Sequence, residues 1–211
     1  MDNIKKVIFD IDNTLIIWKQ EYICALKETL DYFDIKIDVN LVDNVINNLE
    51  QNHEIISKEI LLNDINEKFN LNLEMSFINM LFEKQKELAF YNKKIFDTIK
   101  YLSQKYELLI FTNYFHEVQE GRLEIMKIKQ FFSKIYAGDD IKLKPNEESF
   151  KIVIGDNKPE ECLMIGDSLK FDIEGALKVG MNAILYDYKN IYNGNYRYQV
   201  IKNIEDLKGI L

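Results

Sequence analysis

Two aspartates stand two residues apart at the end of an apolar run, VIFDIDNTLI, from Val7 to Ile16. Residues i and i+2 of an extended chain face the same side, so Asp10 and Asp12 can point into one site. A buried carboxylate is costly unless something pairs it, and a metal, a catalytic task or both would answer for this pair. Three further segments carry comparable groups. The run ELLIF is followed by Thr112 and Asn113, each with a side-chain donor. In KLKPNEESF, Pro145 suits a first helical position. Lys144 just before it could reach an anion at the electropositive helix N-terminus, with Lys142 as its competitor. In LMIGDSLKFDIEGALKVGM a strand runs into Gly166, Asp167 and Ser168, and a helix then carries Asp172. Gly166 permits close backbone approach, Ser168 or Asp167 can cap the helix, and Gly180 sits where a helix C-terminal glycine belongs. Acids converging from Asp10 and Asp167 would repel unless a hard cation lay between them, and oxygen ligands of this kind suit Mg²⁺. Taken singly, each segment reads equally well as a strand-end turn or a solvated lysine. Together, four strands each deliver a polar group to one edge, a register that scattered surface charges would not keep.

The elements that must position these groups are short apolar strands at Lys5 to Phe9, Glu107 to Phe111, Ile135 to Ala137, Cys162 to Ile165 and Ala183 to Tyr186. Helical patterns lie between them, at Lys94 to Lys105, His116 to Met126, Glu147 to Val153 and Phe171 to Val179. This alternation predicts an α/β fold, a doubly wound parallel sheet with helices on both faces and its ligand at the C-terminal strand edge. Residues 19–90 break the alternation and show only helical periodicity, as in Tyr22, Ile23, Leu26, Leu30 and Phe33. A crossover needs about a dozen residues, so this stretch is expected to form a small helical lobe inserted into a core of residues 1–18 and 91–211. The Tyr- and Asn-rich stretch from Tyr186 to Tyr198, with Gly194, reads as a surface loop and suggests no function.

Composition narrows the partners. The chain has 211 residues, 47% of them hydrophobic, which is enough for a real core. A net charge of −8 argues against nucleic acid as the main partner. With Arg122 and Arg197 as the only arginines, no cluster can grip phosphates bidentately. Phosphate would have to be held by lysine, backbone N–H groups and a metal. Cys24 and Cys162 are expected as two reduced, buried thiols. Asp2, Asp10 and Asp12 interrupt any signal-peptide pattern, and no apolar run approaches the ~20 residues of a membrane span. A cytoplasmic protein is the expectation.

The motifs, in this order, resemble those of the haloacid dehalogenase superfamily, in the branch with a helical cap after the first motif. DIDNTL resembles its Asp-x-Asp-x-Thr motif, FTN the strand ending in a hydroxyl residue, LKP the Lys-Pro motif, and GDSLKFDIEGALKVGM a near-complete fourth motif. The resemblance spans the core from end to end, while the cap is matched by position and helical character alone. It implies a Rossmann-like core with Asp10 as the nucleophile that forms an aspartyl-phosphate. Asp12 would be the general acid and then the base, and Thr112, Asn113 and Lys144 would hold the phosphoryl group. Asp10, the Asp12 carbonyl and Asp167 would bind Mg²⁺, with Asp172 and Ser168 in support. Family members that cleave carbon–halogen bonds lack the second aspartate, so Asp12 argues against dehalogenation, and Asn13-Thr14 after it looks more like a phosphatase than a mutase. A phosphomutase of the same superfamily is the alternative enzyme. A receiver-like phosphorylation switch is the non-enzyme alternative, against which Asp12 and the insertion both count. The expected partner is a small phosphorylated metabolite, a nucleotide or sugar phosphate, with Trp18, Tyr22 and His53 as candidate walls. The chain is expected to be a monomer or homodimer.

Overall fold

The structure is a computed structural model that describes residues 3–17, 19–192 and 198–211. Trp18 and Gly194 therefore lie outside the described residues. After β1 (Lys6–Phe9) come five helices: α1 (Lys19–Tyr32), α2 (Val39–Asn47), α3 (Leu49–Asn52), α4 (Lys58–Phe69) and α5 (Met75–Glu87). After α6 (Lys93–Ser103), strands and helices alternate through β2 (Glu107–Phe111), α7 (His116–Ile125), β3 (Lys134–Tyr136), α8 (Glu147–Ile154), β4 (Cys162–Gly166), α9 (Glu174–Lys178) and β5 (Asn182–Tyr186). The chain closes with β6 (Gln199–Ile201) and α10 (Leu207–Ile210).

The strands form one parallel sheet in the order β3-β2-β1-β4-β5-β6. Alternate residues supply its two faces, as the period of two requires. Val7, Phe9, Leu108, Ile110, Leu163 and Ile165 pack on one face with Ile99 and Leu102 of α6 and Leu123 of α7. Ile8, Leu109, Phe111, Cys162 and Met164 pack on the other with Phe150 and Val153 of α8 and Ala176 of α9. Burial on both faces explains why these strands read as unbroken apolar runs.

The five helices between β1 and α6 collect around a third apolar cluster. On α1, Tyr22, Ala25, Leu26 and Leu30 recur at helical spacing and are buried. They meet Leu61 and Ile65 of α4 and Phe77, Ile78, Leu81 and Phe82 of α5. The cluster also takes in Tyr114, Phe115, Val118 and Leu143 from the sheet's C-terminal side, with the Phe82 and Phe115 ring centroids 4.7 Å apart.

Four details depart from the sequence reading. Cys24 is exposed, because it falls on the outward face of α1, while Cys162 is buried at the start of β4. Pro145 lies before α8, not in its first turn; Asn146 caps that helix by accepting the Glu148 N–H at 2.9 Å. The helix expected from Phe171 opens as a π-helical turn, Leu169–Ile173, before α9. The edge strand β6 has only three residues and follows a polar stretch, so no apolar run announces it.

Candidate active site

The sheet order places β1 between β2 and β4, where successive connections run outward in opposite directions and leave a crevice at the C-terminal strand ends. Register brings the motifs level: Phe9 stands beside Ile110 on one side and Ile165 on the other, and the Asp10 N–H donates to the Ile165 carbonyl at 2.9 Å. A cleft of about 280 Å³ opens at this edge. Asp10, Asp12, Thr112, Asn113, Lys144, Asp167, Ser168 and Asp172 all line it, so the residues of the four sequence motifs are brought together, whereas the expected walls Tyr22 and His53 do not line it.

Lys144 is the centre of the electrostatics. Lys144 is 2% exposed, and its Nζ donates to Asp10 Oδ1 at 2.7 Å and to Asp172 Oδ1 at 2.6 Å. Burial alone would pull the ammonium's pKa down, but the two carboxylates more than offset that and raise it. Asp172 is fixed in turn, its Oδ2 accepting the Ser168 N–H at 3.0 Å. Gly166 makes room for this, since a Cβ there would collide with the Asp172 carboxylate. Ser168 caps the π turn by accepting the Phe171 N–H at 3.1 Å. Asn113 holds the Lys144 backbone from both sides, accepting its N–H at 2.7 Å and donating to its carbonyl at 3.0 Å. The lysine thus meets carboxylates rather than the N-terminus of α8, and Lys142 lies outside the cleft, paired with Glu148 at 3.1 Å.

Asp10 is 6% exposed, and its Oδ2 accepts the Thr14 hydroxyl at 3.2 Å. Burial pushes its carboxyl well above the ordinary range, against the pull of Lys144. Asp167 is raised to about 7, by burial and then by the Asp172 charge. It has no hydrogen-bond or ion-pair partner among the described residues. Carboxylate oxygens of Asp10, Asp167 and Asp172 lie within 4.8 Å of one another. Asp10 and Asp172 both accept from Lys144, so Asp167 is the carboxylate of the three whose oxygens are left to face a cation, and such an ion would share Asp10 with that ammonium. An all-oxygen donor set under mutual repulsion fits a hard divalent ion.

Sequence reasoning missed the grip on Asp12. Arg122 of α7 is fully buried and donates from Nη1 to Asp12 Oδ1 at 2.8 Å. Gln119, one turn earlier on the same helix, donates from Nε2 to Asp12 Oδ2 at 2.6 Å and to the Thr112 hydroxyl at 3.0 Å. Tyr22 of α1, expected as a possible wall, also hydrogen-bonds Asp12 and Arg122. The available signal was a Gln and an Arg at i,i+3 spacing on the helix after the Thr112 strand. Asn13, at φ 64, takes the left-handed turn that asparagine tolerates and accepts the Tyr188 hydroxyl at 3.0 Å. That bond connects the Tyr-rich loop to the rim of the site. His53 is not among the residues lining the cleft and pairs with Asp64 at 2.8 Å.

Comparison with known proteins agrees with this geometry. Residues 7–186 match the family model for haloacid dehalogenase-like hydrolases. Pyrophosphatase PpaX of Bacillus mycoides is 26% identical over 220 residues, covering 99% of this chain and 97% of its own. Pyrimidine 5'-nucleotidase PynA of Streptococcus pneumoniae is 28% identical over 96 residues, or 44% of this chain and 40% of its own. Among solved structures, the HAD-hydrolase YfnB of Bacillus subtilis, bound to magnesium, superposes with a TM-score of 0.78 at 22% identity, covering 99% of this chain and 98% of that one.

Proposed function

The chain belongs to the haloacid dehalogenase-like hydrolase family, and from that premise we propose that it is a Mg²⁺-dependent phosphatase acting on a small phosphomonoester through an aspartyl-phosphate on Asp10. The observation that carries this reading is the position of Asp10: a buried carboxylate held by Lys144, with Asp167 beside it and Asp12 in the same cleft. A dehalogenase has no use for a second aspartate at that place.

The roles follow from chemistry. An Asp10 oxygen attacks phosphorus, the bond to the leaving oxygen breaks, and Asp12 delivers a proton to that oxygen. Asp12 then takes a proton from water as the water attacks the aspartyl-phosphate, releasing phosphate and regenerating Asp10. Splitting the reaction this way needs one group that serves as acid and then as base, and Asp12 is the neighbour able to do so. Lys144 and the Thr112 hydroxyl lie around the place the phosphoryl oxygens would occupy, where fixed charge and donors stabilise the transition state, while Asn113, whose Nδ2 donates to the Lys144 carbonyl and to Glu50, would act by positioning that lysine. Mg²⁺, held by Asp10, the Asp12 carbonyl and Asp167, would offset the repulsion between a carboxylate nucleophile and a phosphate dianion. Asp172 positions Lys144, and Ser168 positions Asp172. Residues 19–90 would serve as a cap that closes over the leaving group.

The substrate we propose is a nucleoside monophosphate or sugar phosphate, a reading supported by the nucleotidase named among the relatives and by the described lining residues, which include no arginine, Arg122 being buried behind Asp12. Pyrophosphate is the second reading, favoured by PpaX, the relative whose similarity runs the length of the chain. Screening phosphorylated metabolites and pyrophosphate with Mg²⁺, reading released phosphate, tests both. Monoester turnover that stops on chelation is expected; metal-independent turnover, or none on any monoester, would overturn the proposal.

A further inference from the structure

One carboxylate in the cleft has no part in phosphoryl transfer. Glu50 of α3 reaches in from the helical segment and lines the same cleft as Asp10. Its Oε2 accepts the Asn113 Nδ2–H at 2.9 Å. That same amide nitrogen donates to the Lys144 carbonyl, so Glu50 stands one residue from the phosphoryl-binding lysine. It is held there by more than this bond. The stretch after α3 is joined to the core by two backbone hydrogen bonds, from the Leu143 N–H to the Glu54 carbonyl at 2.7 Å and from the Ile56 N–H to the Gly138 carbonyl at 3.0 Å. Leu49 beside it is buried.

A carboxylate is a poor choice if the only task is to accept from Asn113, because a neutral glutamine would do the same without repelling a phosphate. Loss of water also raises the Glu50 carboxyl above its usual range, a cost that a structural role leaves unexplained. The rest of the wall sharpens the point. Ile46, Leu49 and Phe171 are apolar, and Asn13, Asn47 and Tyr114 are uncharged, the Tyr114 hydroxyl donating to Gln85. Among the described lining residues, five carboxylates (Asp10, Asp12, Glu50, Asp167 and Asp172) face one ammonium, Lys144, which Asp10 and Asp172 already engage. Lys170 acts on Glu50 from outside the cleft, as Lys189 does on Asp167. A single phosphoryl dianion can be met by a divalent ion and Lys144. Among the described lining residues a second anionic group would find no further cation, and it would lie against Glu50.

We propose that Glu50 is a specificity-determining residue: it accepts a hydrogen bond from a hydroxyl or amino group on the leaving alcohol and excludes substrates carrying a second anionic group, pyrophosphate included. The inference rests on the phosphatase reading and names the substrate class of that site. Its test is kcat/KM of the full chain with Mg²⁺ for four monoesters on one two-carbon frame, namely 2-aminoethyl, 2-hydroxyethyl and ethyl phosphate and phosphoglycolate, with inorganic pyrophosphate beside them. The unaltered protein should favour the amine and the hydroxyl over ethyl. It should favour the amine over the carboxylate by about ten-fold or more, the scale expected of one unfavourable charge contact. In Glu50→Gln, which can still accept from Asn113, the amine-to-carboxylate ratio should fall by about the same factor and pyrophosphate hydrolysis should rise. Equal turnover of phosphoglycolate and the amine by the unaltered protein overturns the inference, as does an unchanged ratio in the variant. The ranking in the unaltered protein decides the matter even if the variant fails to fold. No turnover of any monoester overturns the phosphatase reading itself and this inference with it; turnover without charge discrimination overturns the inference alone.

Discussion

Asp10 and Asp167 hold their protons more tightly in the folded protein than in the unfolded chain, and that has a measurable consequence. Between the ordinary aspartate value of 3.8 and the value of about 7 for Asp167, the folded state binds more protons. Stability of protein stripped of divalent ions should therefore fall as pH rises through that window. Mg²⁺ competes with those protons, so the rise in Tm on adding Mg²⁺ should be larger at pH 8 than at pH 5.5; equal shifts would mean that the ion does not bind at these acids. The second residue-scale test concerns Arg122, which is 1% exposed at its side chain and ion-paired with Asp12. Arg122→Met leaves Asp12 and Tyr22 without their cation, and urea denaturation should show a loss of roughly 3 kcal/mol. A loss well under 1 kcal/mol would show that the pair does not hold the site together.

At the scale of elements, the sheet also dictates how the cysteines react. Cys162 opens β4, fully buried, and burial pushes its thiol up to about 11. Cys24 lies exposed on α1. A thiol reagent at pH 8 should modify one cysteine in the folded protein and both in denaturant, as counted by mass; rapid modification of Cys162 in the folded state would contradict the assigned strand. The strands at Lys6–Phe9, Glu107–Phe111 and Cys162–Gly166 were legible in the sequence because burial on both faces leaves apolar runs that a polar residue ends abruptly. Asp10, Thr112 and Asp167 could be read because each is that ending residue. Gln119 and Arg122 could not, since on α7 they look like any polar pair and only the tertiary fold turns them toward Asp12. The outward position of Cys24 was hidden for a related reason: cysteine's preference for burial gave way to the helical phase set by Tyr22, Ala25, Leu26 and Leu30. Glu50 lies on a four-residue helix with no periodicity of its own, and tertiary contacts (the backbone bonds after it, the Asn113 hydrogen bond and buried Leu49) bring it to the cleft.

For the molecule as a whole, we propose residues 19–90 as a cap on a core of residues 1–18 and 91–211, but their apolar cluster does not stop at that boundary. Tyr114, Phe115, Val118 and Leu143 of the core are buried beneath α1 and α5. Replacing the cap by a short linker would uncover them, so the remaining core should unfold at lower urea and tend to associate. Retention of full core stability would show that the cap and core are independent. Closure of this cap over a charged cleft is what would keep water from the reacting centre until the alcohol departs. The central claim is that phosphorus passes through a covalent bond to Asp10. Quenching the enzyme with acid during turnover of an aryl phosphate, and mapping peptide masses, should find phosphate on the peptide that holds Asp10 and none in Asp10→Asn, whose kcat should fall by about 10³-fold or more. Steady phosphate release with no phosphate on that peptide, or undiminished turnover by Asp10→Asn, would contradict the claim.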